Sequence, residues 1–448
     1  MNSIDLIETM PSVKVDDIDL DSYIDEIFAK NGPDKEDYLV FYKMVDCIKA
    51  EDVERFRAKI APILNPSSLF GFSYTKPFGY SGDFFIIEKI YQYYINPDER
   101  YRKWDEFLHS AGAVIAVRNR KTLAIEIFEQ LNKKAQGVRR DVMILGSGPV
   151  TETFEFFERN PENTLVFEML DLDKRAIAYA KNKNRKYLSK MTFHNANVIR
   201  FTPERKFDLI WSAGLFDYFK GKHFVYLIKR YYEYLNDDGE MIIGNFNVEN
   251  PSQRSMEIMG DWFLYHRSED ELKQFALQAG VDESKIEVLR EPLGINLFLK
   301  IMKTELIAPC GMNCGICSGY LALTYDVKQK GIKMSYCTGC RIRNKKCAFL
   351  KKRCDKLLNN KIKYCFECKD FPCKNLQGLD KRYRTYFRMS MIENLENIKK
   401  EGIEKVLIQQ KKKWACPKCG GTVCCHNGMC YNCDLDKLVN KKKLYRWE

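Results

Sequence analysis

The stretch DVMILGSGPVTETFEFF, residues 141–157, decides the fold. An apolar run leads into Gly146, Ser147 and Gly148, and apolar residues then recur at helical spacing, which predicts a strand, a glycine turn and a helix. Glycines in such a turn let backbone N–H groups approach a ligand. A dinucleotide fingerprint needs a third glycine, but Thr151 stands there. A second strand, VFEMLD, ends about 25 residues on at Asp171, whose carboxylate can accept from a ribose diol.

Seven short apolar runs alternate with helical periods from about Arg139 to Met302 and predict an α/β domain with a mainly parallel sheet. The seven runs are DVMILG, TLVFEMLD, MTFHNA, FDLIWSAG, GEMIIGNF, IEVLRE and NLFLKIM. The last two are separated by only a few residues around Pro292 and Gly294, too few for a crossover helix. We therefore expect them to form an antiparallel hairpin at one edge of the sheet.

The size and composition of the chain exclude several classes of protein. Its 448 residues predict two to four domains. The hydrophobic fraction of 45%, the charged fraction of 30% and the mean hydropathy of -0.41 exclude disorder, collagen-like repeats and a membrane bundle. No signal-peptide pattern opens the sequence and no apolar stretch is long enough to span a bilayer, so the sequence predicts a cytoplasmic protein. The oligomeric state stays open.

Residues 1–135 read as mostly helical, with apolar positions at helical spacing in YLVFYKMVDCIKA and RKTLAIEIFEQLNKK. Cys47 lies in the first of these and is expected to be buried without a role. Between them, KPFGYSGDF breaks any helix and places Tyr80 and Asp83 on a loop. That loop is a candidate lid or substrate wall.

The order VMILGSGPVTE, MLDLDKRAIAYA, HNANV and FDLIWSAGLFDYF, with a terminal hairpin, resembles class I S-adenosylmethionine-dependent methyltransferases over about residues 135–302. The resemblance implies a Rossmann-like seven-stranded sheet. It places Asn197 where an Asp usually meets the adenine amino group, and an amide oxygen can still accept there. The implied cofactor-binding residues are Gly146, Ser147, Gly148, Asp171, Asn197, Ser212 and Ala213.

The flanking strings KPFGYSGDF, AVRNR, GLFDYF and GNFN resemble a subgroup associated with hydroxy-fatty-acid methyl ester biosynthesis. This implies that residues 1–135 form a helical cap over the active site of residues 136–302. A guanidinium from AVRNR can hold an acid in a fork of two hydrogen bonds, so we expect a small or lipid-like acid as acceptor. Candidates for the acceptor pocket are Tyr80, Asp83, Arg118, Arg120, Tyr218, Asn245, Trp262, His266 and Arg267. Arg118 and Arg120 lie on different helical faces, and His266 is either a base or a structural residue.

Cysteine and charge are distributed very unevenly along the chain. Of 17 cysteines, 16 lie between Cys310 and Cys433. Residues 303–448 carry a net charge of +19, whereas residues 1–302 carry -7. Such asymmetry suggests a nucleic-acid partner, through runs such as RIRNKK, KRYR and KKK. Metal sites of four thiolates would each add about -2, however, so part of the basic excess can simply balance thiolate charge.

Five C-x2-C knuckles in a chain expected to be cytoplasmic indicate metal rather than disulfides. The last two, Cys416-x2-Cys419 and Cys430-x2-Cys433, predict a zinc ribbon at residues 414–435, with Gly420 and Gly421 in its tight turn. His426 lies inside the ribbon loop as a ligand or a packing residue. Spacing alone does not pair the upstream cysteines. The other predicted metal ligands are Cys310, Cys314, Cys317, Cys337, Cys340, Cys347, Cys354, Cys365, Cys368 and Cys373.

The spacing Cys310-x3-Cys314-x2-Cys317 also resembles the iron-sulfur motif of radical S-adenosylmethionine enzymes. Those enzymes need a series of strand-helix units after the motif, and none is predicted here. Residues 304–435 instead resemble a microbial cysteine-rich family of unknown function thought to bind zinc. The sequence therefore predicts a cytosolic methyltransferase with a small metal-stapled domain at residues 303–448. The alternative is a zinc-dependent nucleic-acid or protein-binding factor that only senses the cofactor.

Overall fold

The computed structural model describes residues 18–135, 137–303, 306–341, 354–359 and 361–447. The chain forms two compact units that divide after Lys303. Each unit has hydrophobic clusters of its own. None of the helices in the described ranges combines the length and apolar character needed to cross a bilayer.

The first unit is built on a sheet of seven strands, as the seven apolar runs predict. The strands are β1 (Arg140–Leu145), β2 (Leu165–Asp171), β3 (Met191–Asn195), β4 (Phe207–Ser212), β5 (Leu235–Phe246), β6 (Ile286–Arg290) and β7 (Asn296–Met302). Their order across the sheet is β3-β2-β1-β4-β5-β7-β6. The chain therefore steps outward from β1 in both directions, and β1 and β4 flank the point where the strand order reverses.

Strands β1 to β5 pair in parallel, and β7 pairs antiparallel with both β5 and β6. The expected antiparallel hairpin at one edge is thus confirmed. Parallel β1, β2 and β4 all end at the same edge of the sheet, where an open α/β sheet binds its ligands. The glycine turn and Asp171 meet at this edge, because Leu145 is paired with Leu170.

Helices cover the sheet and form the N-terminal region. They are α1 (Leu20–Ala29), α2 (Tyr38–Cys47), α3 (Val53–Lys59), α4 (Leu69–Thr75), α5 (Phe84–Tyr91), α6 (Glu99–Ser110), α7 (Gly112–Ala135), α8 (Thr151–Arg159), α9 (Lys174–Lys183), α10 (Gly221–Tyr232), α11 (Gln253–Gly260) and α12 (Glu269–Gln278). An aromatic core of Phe41, Trp104 and Phe107 holds the N-terminal helices together. Cys47 is exposed, so the expectation that it is buried is wrong.

The 24-residue helix α7 belongs to two hydrophobic cores at once. Ala116 and Val117 are buried in the N-terminal helical core, whereas Ala124 and Phe128 are buried against the sheet. Arg120 lies between these two halves of the helix. The N-terminal helices and the sheet therefore share one rigid element, with a buried cation at its middle.

The second unit is small, and the longest regular elements among its described residues are helices. Its helices are α13 (Ser318–Thr324), α14 (Asp355–Leu358), α15 (Lys374–Phe387), α16 (Met391–Glu401), α17 (Ile403–Lys413) and α18 (Leu435–Val439). Its core combines aliphatic side chains with cysteines, and Cys310, Cys365 and Cys425 are all buried in it. Among the described residues between Cys310 and Cys373, the regular elements are short, and cysteines join the aliphatic and aromatic side chains of the core.

Candidate functional site

A cavity of about 790 Å³ opens at the carboxyl ends of β1, β2 and β4. Its lining comes from both the glycine turn after β1 and the loop that precedes α5. The predicted site residues that line it are Tyr80, Arg120, Gly146, Ser147, Gly148, Asp171, Asn197, Ala213, Tyr218 and Trp262. The structure thus brings six of the seven predicted cofactor residues and part of the predicted acceptor pocket to one cavity.

The glycine turn after β1 takes a conformation that requires glycine. Gly146 and Gly148 have φ angles of +64° and +56°, which side chains other than glycine rarely adopt. A Cβ on Gly146 would lie 2.9 Å from Leu215 Cβ. Ser147 Oγ is buried and has no hydrogen-bond partner within the described residues. Because buried hydroxyls are normally paired, this orphan atom fits a polar ligand in the cavity.

Asp171 ties the first two strand ends together. Its Oδ2 accepts from the Gly148 N–H at 2.8 Å, and its Oδ1 accepts from the Asp173 N–H at 2.9 Å. Burial raises the pKa of Asp171, and the two N–H groups oppose that rise. The carboxylate is therefore fixed at the cavity wall with lone pairs left for a diol.

The other three predicted cofactor residues differ in position. Asn197 is exposed at the rim of the cavity, and its Oδ1 accepts from the Ile199 N–H at 2.8 Å. Ala213 lines the cavity after β4. Ser212 does not line it, since its Oγ is buried and donates to the Leu145 carbonyl at 3.0 Å. Ser212 thus joins β4 to β1 behind the site.

Three aromatic residues close the outer wall of the cavity. The Tyr218 hydroxyl donates to the Ser81 carbonyl at 2.8 Å and accepts from Trp262 Nε1 at 2.9 Å. The Tyr80 hydroxyl donates to Asp173 Oδ2 at 3.2 Å. Gly82, with a φ of +66°, leaves room for this wall, because a Cβ there would overlap the Trp262 ring.

The structure separates the two arginines of AVRNR. Arg120 lines the cavity with its side chain almost fully buried, contacts the Tyr91 hydroxyl, and has no hydrogen-bond partner for Nε within the described residues. Its Nη1 lies 2.7 Å from where a Cβ on Gly214 would be. Arg118 lies outside the lining and donates to the His109 carbonyl at 3.0 Å. Of the two arginines, only Arg120 therefore lines the cavity, and it is the buried cation there.

Two buried carboxyl groups in the lining, Asp217 and Glu152, were missed by the sequence analysis. Burial raises the pKa of each to about 7, while Arg120 opposes the rise in both. Asp217 Oδ1 also accepts from the Phe246 N–H at 2.8 Å. The cavity thus contains a buried cation and two carboxyl groups that can exchange a proton near neutral pH.

Four other predicted acceptor residues do not line the cavity. Asp83 is buried and caps α5, accepting from the Phe85 and Ile86 N–H groups. His266 Nε2 lies 3.1 Å from Asn250 Nδ2, and burial lowers the pKa of His266. The other two are Asn245 and Arg267, which are buried and hydrogen-bonded to each other at 2.5 Å. These side chains support the walls from behind, so Asp83 and His266 do not stand where a base would contact an acceptor.

The ribbon cluster, defined as Cys416, Cys419, Cys430 and Cys433, fits one tetrahedral ion. Its four sulfurs lie within 4.8 Å of one another. The Cys416–Cys433 and Cys419–Cys430 sulfur distances are 4.0 Å and 3.6 Å. Four sulfurs about 2.3 Å from one zinc ion would lie about 3.8 Å apart. The donor set and the geometry therefore fit zinc.

The other predicted ligands stand in different surroundings. Cys347 lies outside the described residues. Cys310 is buried in the apolar core of its unit. His426 packs against Phe387, and its Nδ1 and Nε2 lie within hydrogen-bond distance of the Ser318 N–H and the Tyr383 hydroxyl. Both ring nitrogens of His426 are therefore engaged, which supports the packing alternative.

Residues 306–378 match a family described as protein of unknown function, DUF3795. The match lies in the cysteine-rich unit and agrees with the expected resemblance of this region to a family of unknown function. No curated protein matches the chain.

Several solved structures are similar to part of this chain at low identity. A "possible exported protein" from Bordetella parapertussis has a TM-score of 0.47 and 12% identity, and the match covers 66% of this chain and 100% of that one. Magnesium protoporphyrin IX methyltransferase from Synechocystis, with bound SAH, has a TM-score of 0.34 and 10% identity over 43% of this chain and 87% of that one. An O-methyltransferase family protein from Burkholderia thailandensis has a TM-score of 0.34 and 14% identity over 45% of this chain and 63% of that one.

Proposed function

We propose that this chain is an S-adenosylmethionine-dependent methyltransferase whose acceptor is a small or lipid-like acid. The observation that carries the proposal is the composition of one cavity. A glycine turn and an acid at the ends of β1 and β2 form one side, and an apolar wall with the buried cation Arg120 forms the other. The first side suits a nucleoside-type cofactor, and the second suits an acceptor with an anionic group.

The cofactor would be held by residues that already line the cavity. Asp171 would accept from the ribose hydroxyls, and Asn197 and Ala213 would flank the adenine end. Ser147 Oγ, which lacks a partner within the described residues, would meet the polar end of the methionine part. The turn at Gly146 and Gly148 allows this approach because no Cβ intervenes.

The proposed acceptor side is lined by apolar side chains and by three charged or titratable groups, Arg120, Asp217 and Glu152. Phe84, Ile87, Phe246 and Leu264 line it, which suits a hydrocarbon chain. Arg120 would pair with the acid group of the acceptor, since a guanidinium binds a carboxylate through two parallel hydrogen bonds. A lipid-like acid satisfies both features, in line with the hydroxy-fatty-acid subgroup that the sequence resembles.

When bound, the cofactor supplies an electrophilic methyl group on a sulfonium. A carboxylate oxygen needs no base, so Arg120 would only orient it for in-line attack. For a hydroxyl acceptor, Asp217 would take the proton, because its pKa of about 7 allows it to be partly ionised at neutral pH. Tyr218 and Trp262 would exclude water from the reacting atoms.

The test measures transfer of labelled methyl groups to a panel of fatty, hydroxy-fatty and short-chain acids. Arg120→Lys and Arg118→Lys form a matched pair on one helix. We expect Arg120→Lys to raise the KM for acid acceptors about tenfold without changing cofactor affinity, since lysine lacks the bidentate fork. Arg118→Lys should behave like the wild type. Label on RNA or protein but on no acid, with dependence on residues 304–448, would contradict the proposal.

A further inference from the structure

Eight cysteines upstream of the ribbon cluster form two spatial groups. In chain order, the first four of the eight form one group and the last four form the other. Contacts among the described residues define each group. Cys354, Cys365, Cys368 and Cys373 form one group, which we call the cavity cluster. Cys314, Cys317, Cys337 and Cys340 form the other, which we call the knuckle-pair cluster.

The cavity cluster surrounds a cavity of about 260 Å³ that all four of its cysteines line. Burial and the nearby thiols of Cys354, Cys373 and Cys368 together raise the pKa of Cys365 to about 12. Lys356 Nζ donates to Cys368 Sγ at 3.1 Å. Four sulfurs therefore surround one space, and a cation is in hydrogen-bond contact with one of them.

The knuckle-pair cluster joins Cys314 and Cys317 to a second knuckle 20 residues further along the chain. The Cys340 N–H donates to Cys314 Sγ at 3.2 Å. The Cys337 N–H donates to the Gly319 carbonyl at 2.9 Å. These two bonds hold the second knuckle against the first. The N–H groups of Gly319 and Tyr320 also donate to Cys317.

The first knuckles of the two groups share one backbone shape. Both Cys314–Ile316 and Cys365–Glu367 form a single 3-10 turn. The cysteine that ends each turn has nearly the same conformation, with φ -82° and ψ 138° at Cys317 and φ -82° and ψ 134° at Cys368. The two knuckles therefore hold their cysteines in the same backbone arrangement, and the C-x2-C spacing suits two ligands of one ion.

Neither group is as compact as the ribbon cluster, which is the one set of three or more ligand atoms within 4.8 Å in the described part of the chain. Closing each group around an ion requires its sulfurs to approach to about 2.3 Å from the metal. The surroundings favour that closure, because the unit carries a large positive charge and four thiolates with a divalent ion add about -2. All eight cysteines fall within the matched residues 306–378.

We propose that the chain has two zinc sites in addition to the ribbon cluster, one at the cavity cluster and one at the knuckle-pair cluster. This proposal is independent of the proposed methyl transfer. It leaves Cys310 as a core residue rather than a ligand. It also leaves Cys424 and Cys425 as core residues, both fully buried.

The metal content of the full-length chain tests the number of zinc sites. Double cysteine-to-serine variants test which cysteines belong to each site. We expect three zinc ions in the wild type, two in Cys337→Ser/Cys340→Ser, two in Cys365→Ser/Cys368→Ser, and one when all four changes are combined. Native mass spectrometry gives these counts, and the ion of the ribbon cluster serves as an internal check on folding. If the combined variant keeps two ions, the four cysteines share one site and the grouping is wrong.

Two controls and one measurement on the wild type complete the test. Cys310→Ala and Cys47→Ser should both keep three ions, and loss of an ion from Cys310→Ala would overturn the grouping. In the unmutated chain, a chelator should release the ions stepwise while a thiol-alkylating reagent marks the freed cysteines. The four members of each cluster should be labelled together, whereas labels that mix the clusters would contradict the proposal. Stoichiometric iron with sulfide would overturn the assignment of zinc.

Discussion

Asp171 Oδ2 accepts a hydrogen bond from the Gly148 N–H at 2.8 Å, so the acid at the end of β2 holds the turn that follows β1. The same carboxylate is the proposed ribose ligand. The Asp171 side chain therefore shapes the glycine turn and, in the proposed function, also binds the cofactor. A change at Asp171 would affect both.

Asp171→Ala should weaken S-adenosylmethionine binding at least about tenfold, because it removes a charge-assisted hydrogen bond and frees the turn at Gly148. Calorimetric titration measures the affinity directly. The exposed Asp270→Ala is the matched control and should bind like the wild type. Unchanged affinity in a folded Asp171→Ala protein would remove Asp171 from the cofactor site.

Asp217→Asn should change how stability depends on pH. Burial raises the pKa of Asp217 in the folded protein to about 7, from 3.8. The folded state therefore binds more protons than the unfolded state between about pH 4 and 7, and stability falls as the pH rises through that window. Asparagine keeps the acceptor for the Phe246 N–H and removes the titration. The gain in stability of the variant over the wild type should thus be larger at pH 8 than at pH 5, by on the order of 3 kcal/mol.

Thermal unfolding of both proteins across this pH range checks the prediction for Asp217. The exposed Glu249→Gln serves as the control and should leave the pH dependence unchanged. Parallel curves for the wild type and Asp217→Asn would show that Asp217 is ionised throughout the range.

Gly214→Ala should displace the Arg120 guanidinium, since the new Cβ would lie 2.7 Å from Nη1. We expect the KM for acid acceptors to rise about tenfold, the equivalent of roughly 1.4 kcal/mol. Gly378→Ala, where nothing lies within 4 Å of the new Cβ and φ is not positive, controls for the replacement of glycine itself. An unchanged KM for Gly214→Ala would show that Arg120 does not bind the acceptor.

Gly421→Ala should weaken zinc retention by the ribbon cluster. A Cβ there would lie 3.2 Å from Cys419 Sγ and 3.5 Å from Cys430 Sγ, so the sulfurs must move away from the ion. Competition with a chromogenic chelator should show about tenfold weaker binding of one ion. Gly378→Ala, in α15 with nothing near the new Cβ, should keep the ion and stabilise the helix by up to about 1 kcal/mol. Equal retention in the two variants would contradict the prediction.

The sheet could be predicted closely because its strands are continuous apolar runs. Run and strand coincide at β7, where NLFLKIM covers Asn296–Met302, and β5 begins only four residues before its run at Gly239. The short connection at Pro292 and Gly294 fixed the antiparallel edge, since a chain that reverses within a few residues cannot cross over. Local sequence carries this information, and tertiary contacts did not override it.

The acceptor side of the site could be predicted only in part. Glu152 in TETFEFF resembles a solvated helical acid, and only the packing of α8 beside the cavity buries it. Asp83 follows a glycine in a loop, which suggested function, but the start of α5 engages its carboxylate as a cap. The helical period places Arg118 and Arg120 on different faces of one helix. It does not predict which of the two faces lines the cavity.

The two buried carboxyl groups and Arg120 have a consequence for inhibitor design. Below about pH 7, Asp217 and Glu152 carry protons and act as donors, as Arg120 does at any pH. A compound for the proposed methyl-acceptor side of the cavity should therefore offer hydrogen-bond-accepting groups, such as a carboxylate or a sulfone, on a hydrophobic body. An amine would instead bind better at alkaline pH, so the selectivity of the pocket between acidic and basic compounds can be tuned by assay pH.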